Sequence, residues 1–321
     1  MTDRTLIVGL AQMAPVWLQR DASLAKVVEW IGRAAADGCQ LVAFGEALVP
    51  GYPFWVERTE GARFDSALQK DLFAHYASQA VSIEDGDLDA VCRIAAEHEI
   101  AVYLGIIERA QDRGGHSLYC SMVYIDTAGK IRSVHRKLMP TYEERLVWAI
   151  GDGNGLRTHK LGAFTVGGLN CWENWLPLAR SALYAQGEDL HVAIWPGNLR
   201  NTEDITRFIA RESRSFVVSV AGLMRREDIK DEIPHASLLR DSADDVMADG
   251  GSCIALPNGE WLLEPETHVE SLRFAEIDQR KVLEERQNLD VAGHYSRPDV
   301  TRLVVNRKRQ TTAEFTDLDD E

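Results

Sequence analysis

The sequence predicts an α/β protein with mixed β-sheets, and three observations carry that prediction. Apolar, β-branched runs alternate with amphipathic helical segments from the first residues onward. Two turn signals, Asp126-Thr127-Ala128-Gly129 and Pro257-Asn258-Gly259, lie between strand-like runs and predict antiparallel hairpins. No linker rich in Gly, Pro or Ser, no repeat and no low-complexity tract divides the 321 residues. One domain over 1–306 followed by a charged tail, 307–321, is the economical reading.

Each element has a local reason. Residues 5–13 (TLIVGLAQM) are an apolar run suited to a strand. Over 21–37, Leu24, Val27, Val28, Ile31 and Ala35 fall at helical spacing, and Asp37-Gly38 closes the helix. Residues 40–46 (QLVAFGE) then read as a buried strand, completing a βαβ unit with parallel strands and a right-handed crossover. Helices follow near 65–80 and 87–98, then a strand at 100–108 (IAVYLGIIE). Strands at 118–125 and 130–136 flank the first hairpin turn. The strand 163–170 (AFTVGGLN) leads to a helix at 174–186. Strand 191–196, helix 202–214 and strand 216–223 come next, before the second hairpin. Parallel units combined with hairpins make mixed sheets.

Bulk properties exclude several function classes. The chain carries 35 basic and 50 acidic residues, a net charge of −15, which opposes a nucleic-acid or anionic-membrane partner. The basic run Arg307-Lys308-Arg309, followed by Asp317, Asp319, Asp320 and Glu321, reads as a solvated terminus. No apolar stretch is long enough to span a bilayer, and the N-terminus lacks a signal-peptide pattern. The five cysteines, Cys39, Cys92, Cys120, Cys171 and Cys253, are odd in number and scattered. Free thiols in a reducing cytoplasm are expected.

Three strand ends carry reactive groups. Cys171 lies where GGLNCWENWLPLAR (167–180) passes from strand to helix, a place where backbone N–H groups and a helix dipole favour thiolate. The other four cysteines sit within elements and read as small core residues. A thiol nucleophile needs a base and a group to stabilise charge. Glu46 ends the strand LVAFGE beside the loop ALVPGYPFW, and Lys137 ends IRSVHRK before Pro140. In α/β sheets functional groups gather at the carboxyl ends of strands. Taken alone, each of the two reads equally as a charge where a strand surfaces.

The three segments resolve that ambiguity together. LVAFGEALVPGYPFW (41–55), HRKLMPTYEERLVW (135–148) and GGLNCWENWLPLAR (167–180) resemble the three catalytic blocks of the nitrilase, or carbon–nitrogen hydrolase, superfamily, in the same order. The resemblance spans roughly 5–306 and includes AGHYSRPDV (292–300). It implies a four-layer αββα sandwich, a catalytic set of Glu46, Lys137 and Cys171, and a second glutamate after the lysine. That glutamate is assigned to Glu144, the acid directly before Arg145, leaving Glu143 to the surface. Cys171-Trp172-Glu173-Asn174 with Pro177, Leu178 and Arg180 resembles the nitrilase branch. Phe44-Gly45-Glu46 departs from relatives that have proline before the glutamate.

The resemblance implies hydrolysis of an organic nitrile to acid and ammonia, with no cofactor and no metal. The backbone N–H of Trp172 and Lys137 would meet the developing charge. Tyr52, Tyr142 and Trp195 are expected to line the substrate pocket, Tyr142 and Trp195 foremost. A homodimer or larger homo-oligomer is implied. Three rivals remain: an amidase with the same residues, a noncatalytic binding module, and a metal hydrolase using His135, His159 and His191, whose spacing is no ligand motif.

Overall fold

The computed structural model describes residues 4–313. Strand β1 (Thr5–Gln12) is buried on both faces. Its period of two sends Leu6, Val8 and Leu10 into one core and Ile7 and Ala11 into another. Strand β2 (Leu41–Phe44) divides likewise, with Leu41 and Ala43 facing one way and Val42 and Phe44 the other. Such strands need a helix layer on one face and a second sheet on the other.

Both covers are present. Helix α1 (Arg20–Ala36) buries Val27, Trp30, Ile31 and Ala34 on the outer face of the first sheet. Two shorter helices, α2 (Trp55–Arg58) and α3 (Ala67–Ser78), precede α4 (Asp89–Glu97), which adds Val91 and Ala95 to the same core. Strands β3 (Ala101–Arg109), β4 (Leu118–Ile125) and β5 (Ile131–Arg136) extend the sheet. β1, β2 and β3 are parallel, and β4 and β5 add antiparallel hairpins. At the first turn Asp126 N donates to Lys130 O at 3.0 Å, and Gly129 adopts φ +70°.

The second sheet contains β6 (His159–Leu161), β7 (Phe164–Asn170), β8 (Leu190–Trp195), β9 (Phe216–Ala221), β10 (Leu223–Arg225), β11 (Val246–Ala255) and β12 (Trp261–Thr267). Its spine β7-β8-β9 is parallel, and its flanks are antiparallel. Phe164, Val166, Val192, Ile194, Phe216 and Val218 meet the inner face of the first sheet. Helix α5 (Pro177–Tyr184) covers Leu169 with Ala179, Ala182 and Leu183. Helix α6 (Leu199–Ser213) packs Ile205, Ile209 and Ala210 on Ala193, Trp195 and Val217. The result is the four-layer αββα order, with mixed sheets in the middle.

Three features differ from the sequence expectation. The helix expected over 174–186 is a 3-10 turn, Cys171–Trp175, followed by α5. The cause is Pro177, which holds Leu176 extended at φ −87°, ψ 107° and occupies the first helical position. After α7 (Ala236–Ser242), strand β13 (Ser271–Asp278) returns to the first sheet and pairs antiparallel along the whole of β1, ahead of α8 (Arg280–Arg286). The segment beyond 306 is not wholly solvated: Arg309 Nη1 lies 3.0 Å from Asp152, and its Nη2 donates to Val134 O at 3.0 Å. Val305 packs with Leu138 and Leu156. Asp317, Asp319, Asp320 and Glu321 lie outside the described residues.

Candidate active site

The βαβ unit delivers Glu46 two residues past β2. Its N–H donates to Trp195 O at 3.1 Å, tying the loop to the end of β8 in the other sheet. Gly105 permits the approach: a Cβ there would stand 2.2 Å from Gly45 O. Gly45 itself faces the backbone of Gly222, where a Cβ would come within 3.0 Å of the nitrogen. Lys137 continues the β5 ladder by one bond, its N–H donating to Cys120 O at 2.8 Å.

Glu46, Lys137 and Glu144 meet in one dry cluster, with exposures of 2%, 1% and 1%. Lys137 Nζ donates to Glu46 Oε1 and Glu144 Oε2, both at 2.7 Å. The two carboxylates are used differently. Glu144 is saturated: Oε2 also accepts from Thr141 N at 2.6 Å, and Oε1 accepts from the Tyr52 hydroxyl at 2.9 Å. Glu46 Oε2 is buried and has no hydrogen-bond partner among the described residues. Burial pushes the Glu46 carboxyl up to about 7, against the pull of Lys137 and with the repulsion of Glu144. For Lys137 burial acts downward, but the charges of Glu46 and Glu144 hold it well above the usual ammonium range.

Cys171 sits at the end of β7 with φ +42°, a left-handed conformation unusual for a residue with a side chain. It is 4% exposed, and Glu46, Lys137 and Glu144 are the charges that act on it. Burial raises the thiol well above its ordinary range, Glu46 adds to this, and Lys137 and the Trp172 N–H oppose it. The expectation of a helix-favoured thiolate is therefore corrected. Burial outweighs the pull of Lys137 and the Trp172 N–H, so the shift runs upward, away from thiolate. Burial likewise pushes the core thiols Cys39 and Cys253 up to about 12.

The aromatic expectations divide. Tyr52 stands edge-on to Trp148 and orients Glu144. Trp195 is fully buried in the core shared with Cys171 and Ile205, so its indole is a core side chain and not part of an open surface. Tyr142 is 82% exposed, because φ +44° at the start of its 3-10 turn carries it outward as Glu144 turns inward. The Trp172 side chain is 53% exposed, and only its N–H is turned to the sulfur. Glu143 is half-buried, with Oε1 3.4 Å from the Tyr52 hydroxyl.

Glu173 has a place beside this cluster that the sequence reading did not assign to it. Glu173 is buried and accepts from Leu138 N at 2.6 Å, Asn170 N at 3.0 Å and His135 Nε2 at 3.0 Å. It thus ties Leu138 and His135, on either side of Lys137 in sequence, to Asn170, the residue preceding Cys171. Burial acts to raise its pKa, yet His135 and the two N–H donors hold it below the ordinary range. Asn170-x-x-Glu173 is a capping-box spacing, the signal that marks it. The three histidines weighed as metal ligands have separate partners. His135 meets Glu173, His159 stacks on Tyr124 at 4.2 Å, and His191 meets Glu188.

Comparison with known proteins follows this geometry. Residues 7–287 match the carbon–nitrogen hydrolase family model. A protein named nitrilase 2, from an unknown prokaryotic organism, is 35% identical over 97% of this chain and 96% of its own length. A bifunctional nitrilase/nitrile hydratase of Oryza sativa subsp. japonica is 34% identical over 97% of this chain and 87% of its own. A carbon–nitrogen hydrolase of Helicobacter pylori G27 shares the fold, with a TM-score of 0.67 and 18% identity over 90% of this chain and 94% of its own. The chain belongs to the carbon–nitrogen hydrolase family and is a hydrolase of carbon–nitrogen bonds.

Proposed function

We propose that the protein is a nitrilase that converts an organic nitrile to its carboxylic acid and ammonia, with Cys171 as nucleophile, Glu46 as general base and Lys137 as charge stabiliser. One observation carries the assignment of roles: of the two buried carboxylates on Lys137, only Glu46 keeps an unpartnered oxygen. A base must have a lone pair free to take a proton, and its pKa should lie near the working pH. Glu46, at about 7, fits both demands. Glu144, with every oxygen engaged, is suited to hold Lys137.

The steps follow from the charges. Glu46 Oε2 takes the thiol proton as sulfur adds to the nitrile carbon, giving a thioimidate. The proton reaches the nitrile nitrogen, where Lys137 and the Trp172 N–H meet the developing charge. Water then adds, with Glu46 again accepting a proton. Loss of ammonia leaves a thioester, and a second water releases the acid and restores the thiol. Cys171→Ala retains the fold and loses turnover; sustained acid formation by that variant would refute the covalent route.

The second reading is partition toward amide, or use of amides as substrates. The relative named as a bifunctional nitrilase/nitrile hydratase favours considering it, since the tetrahedral species can expel sulfur in place of ammonia. Ammonia release over a panel of nitriles and their matching amides, with acid and amide quantified, tests both readings. Hydrolysis of amides with nitriles untouched would overturn the first. The enzyme is further read as a cytoplasmic homo-oligomer. Five free cysteines suit a reducing compartment, and exposed Trp175, Leu178 and Phe208 offer apolar surface to a second copy. Sedimentation velocity would test the assembly. No helix among the described residues is long and apolar enough to cross a membrane.

A further inference from the structure

A second set of buried polar groups reaches the nucleophile's backbone and takes no part in the steps above. Asn174 Nδ2 lies 2.8 Å from Cys171 O and 3.2 Å from Leu169 O. Both are carbonyls, so the atom facing them must be the amide donor. The orientation of Asn174 is thereby set, and its Oδ1 faces His191 Nε2 at 2.7 Å. His191 Nε2 must then carry a hydrogen. Across the ring, Nδ1 lies 3.0 Å from Glu188 Oε1. All three side chains are fully buried. Gly167 leaves the room for Glu188, since a Cβ there would stand 2.2 Å from Glu188 Oε1. Arg180 Nη1 donates to Asn174 O at 2.7 Å and is itself held by Glu212 at 2.9 Å.

The Cys171 carbonyl and the Trp172 N–H belong to one planar peptide unit. A hydrogen bond that fixes the carbonyl also aims the N–H, which is the donor turned toward the sulfur. The left-handed backbone of Cys171 persists only where its surroundings hold it. We infer that Glu188, His191 and Asn174 form a positioning relay that locks the Cys171–Trp172 peptide so that the thiol and its N–H donor stay in attacking geometry. The inference rests on the reading of Cys171 as nucleophile. Glu188 fixes the ring, the ring fixes Asn174, and Asn174 fixes the peptide. None of the three touches the reacting atoms.

The test compares His191→Phe with His191→Gln in the full-length protein. Glutamine can place an N–H where imidazole Nε2 stands, whereas phenylalanine fills the space without a donor. Three quantities are read: kcat per titratable Cys171 thiol and KM on an accepted nitrile, and the rate of Cys171 alkylation by iodoacetamide, followed by peptide mass. His191→Phe should lower kcat on the order of tenfold to a hundredfold, the scale of a displaced catalytic group. KM should hold, alkylation should slow, and His191→Gln should restore most of both. A packing role alone would depress the titratable fraction and melting temperature of both variants alike. Equal losses in the two variants, or an unchanged kcat per thiol in His191→Phe, would overturn the relay. Should His191→Phe fail to fold, Asn174→Asp carries the same test, because it turns an acceptor toward two carbonyls; an unimpaired enzyme there also overturns it. If the parent protein hydrolyses amides alone, the nitrilase reading fails while the alkylation ratios still judge the relay.

Discussion

Arg136 and Lys137 are consecutive, both buried, and each lies between two carboxylates, yet the two clusters are built to opposite ends. Alternation along the β5 ladder sends the two side chains to different surroundings. Arg136 donates from Nε and Nη2 to Glu108 at 2.9 and 2.6 Å and from Nη1 and Nη2 to Asp112 at 3.1 and 2.8 Å. Its guanidinium also lies 4.4 Å from the Tyr119 ring centre, and Ser121 donates to Glu108 at 2.7 Å. The planar fork saturates both partners. The Lys137 ammonium is a point donor, and with the same ratio of one cation to two carboxylates it leaves Glu46 Oε2 unpaired. The closed cluster joins β3 to β5. The open one retains a buried lone pair, which is unfavourable for stability and useful for taking a proton.

Four experiments would break or sharpen that contrast. Glu46→Gln should reduce kcat by roughly 10²–10⁴-fold with the melting temperature preserved, because the amide oxygen still accepts from Lys137. A kcat within tenfold of the parent, normalised by thiol titration, would mean that the open oxygen is not the base. Arg136→Met should do the reverse, costing about 3–5 kcal/mol of stability by stranding Glu108 and Asp112. Its kcat per titrated thiol should stay near the parent value, with urea unfolding as the stability measure.

The third experiment uses pH. With Glu46 held at about 7, kcat/KM should fall about tenfold per unit on the acid side of that value. The stability effect has a definite sign. Burial raises the folded carboxyl from 4.5 to about 7, so the folded state binds the proton more tightly. The contribution of Glu46 is therefore fully present below pH 4.5 and lost as pH rises through 7. Glu46→Gln should remove that slope from unfolding curves recorded across the window; an unaltered slope would place the proton elsewhere. The smallest effect is expected from Tyr52→Phe, which loses one hydrogen bond to Glu144, worth about 0.5–1.5 kcal/mol, and should slow kcat severalfold. A loss as large as that of Glu46→Gln would show that Glu144 is not merely a support.

Legibility in the sequence followed how local each cause was. The runs around β1, α1 and β2 disclosed element type through period alone, and the Asp126–Gly129 and Pro257–Gly259 turns disclosed hairpins through backbone preference. Pro177 was equally local, but its effect on Leu176 was outweighed by the helical pattern around it. Strand β13 was missed because its partner, β1, lies some 260 residues away, and no short-range signal marks that pairing. At the site, the expectation for Tyr142 rests on its place beside the lysine block and that for Trp195 on its place at a strand end, and neither the outward turn of one nor the burial of the other has a local signature.

By itself the sequence determined the layered α/β class, the family, and the residue types available at three strand ends, because alternation, turn chemistry and motif order are properties of neighbouring residues. Tertiary structure alone decided which carboxylate keeps a free oxygen, that burial pushes the Cys171 thiol upward, and that Glu173 and Asn174 hydrogen-bond to the backbone of Asn170 and Cys171 from within the same turn. Those outcomes depend on desolvation and on hydrogen-bond partners drawn from distant segments, and both quantities exist only once the two sheets have closed on each other.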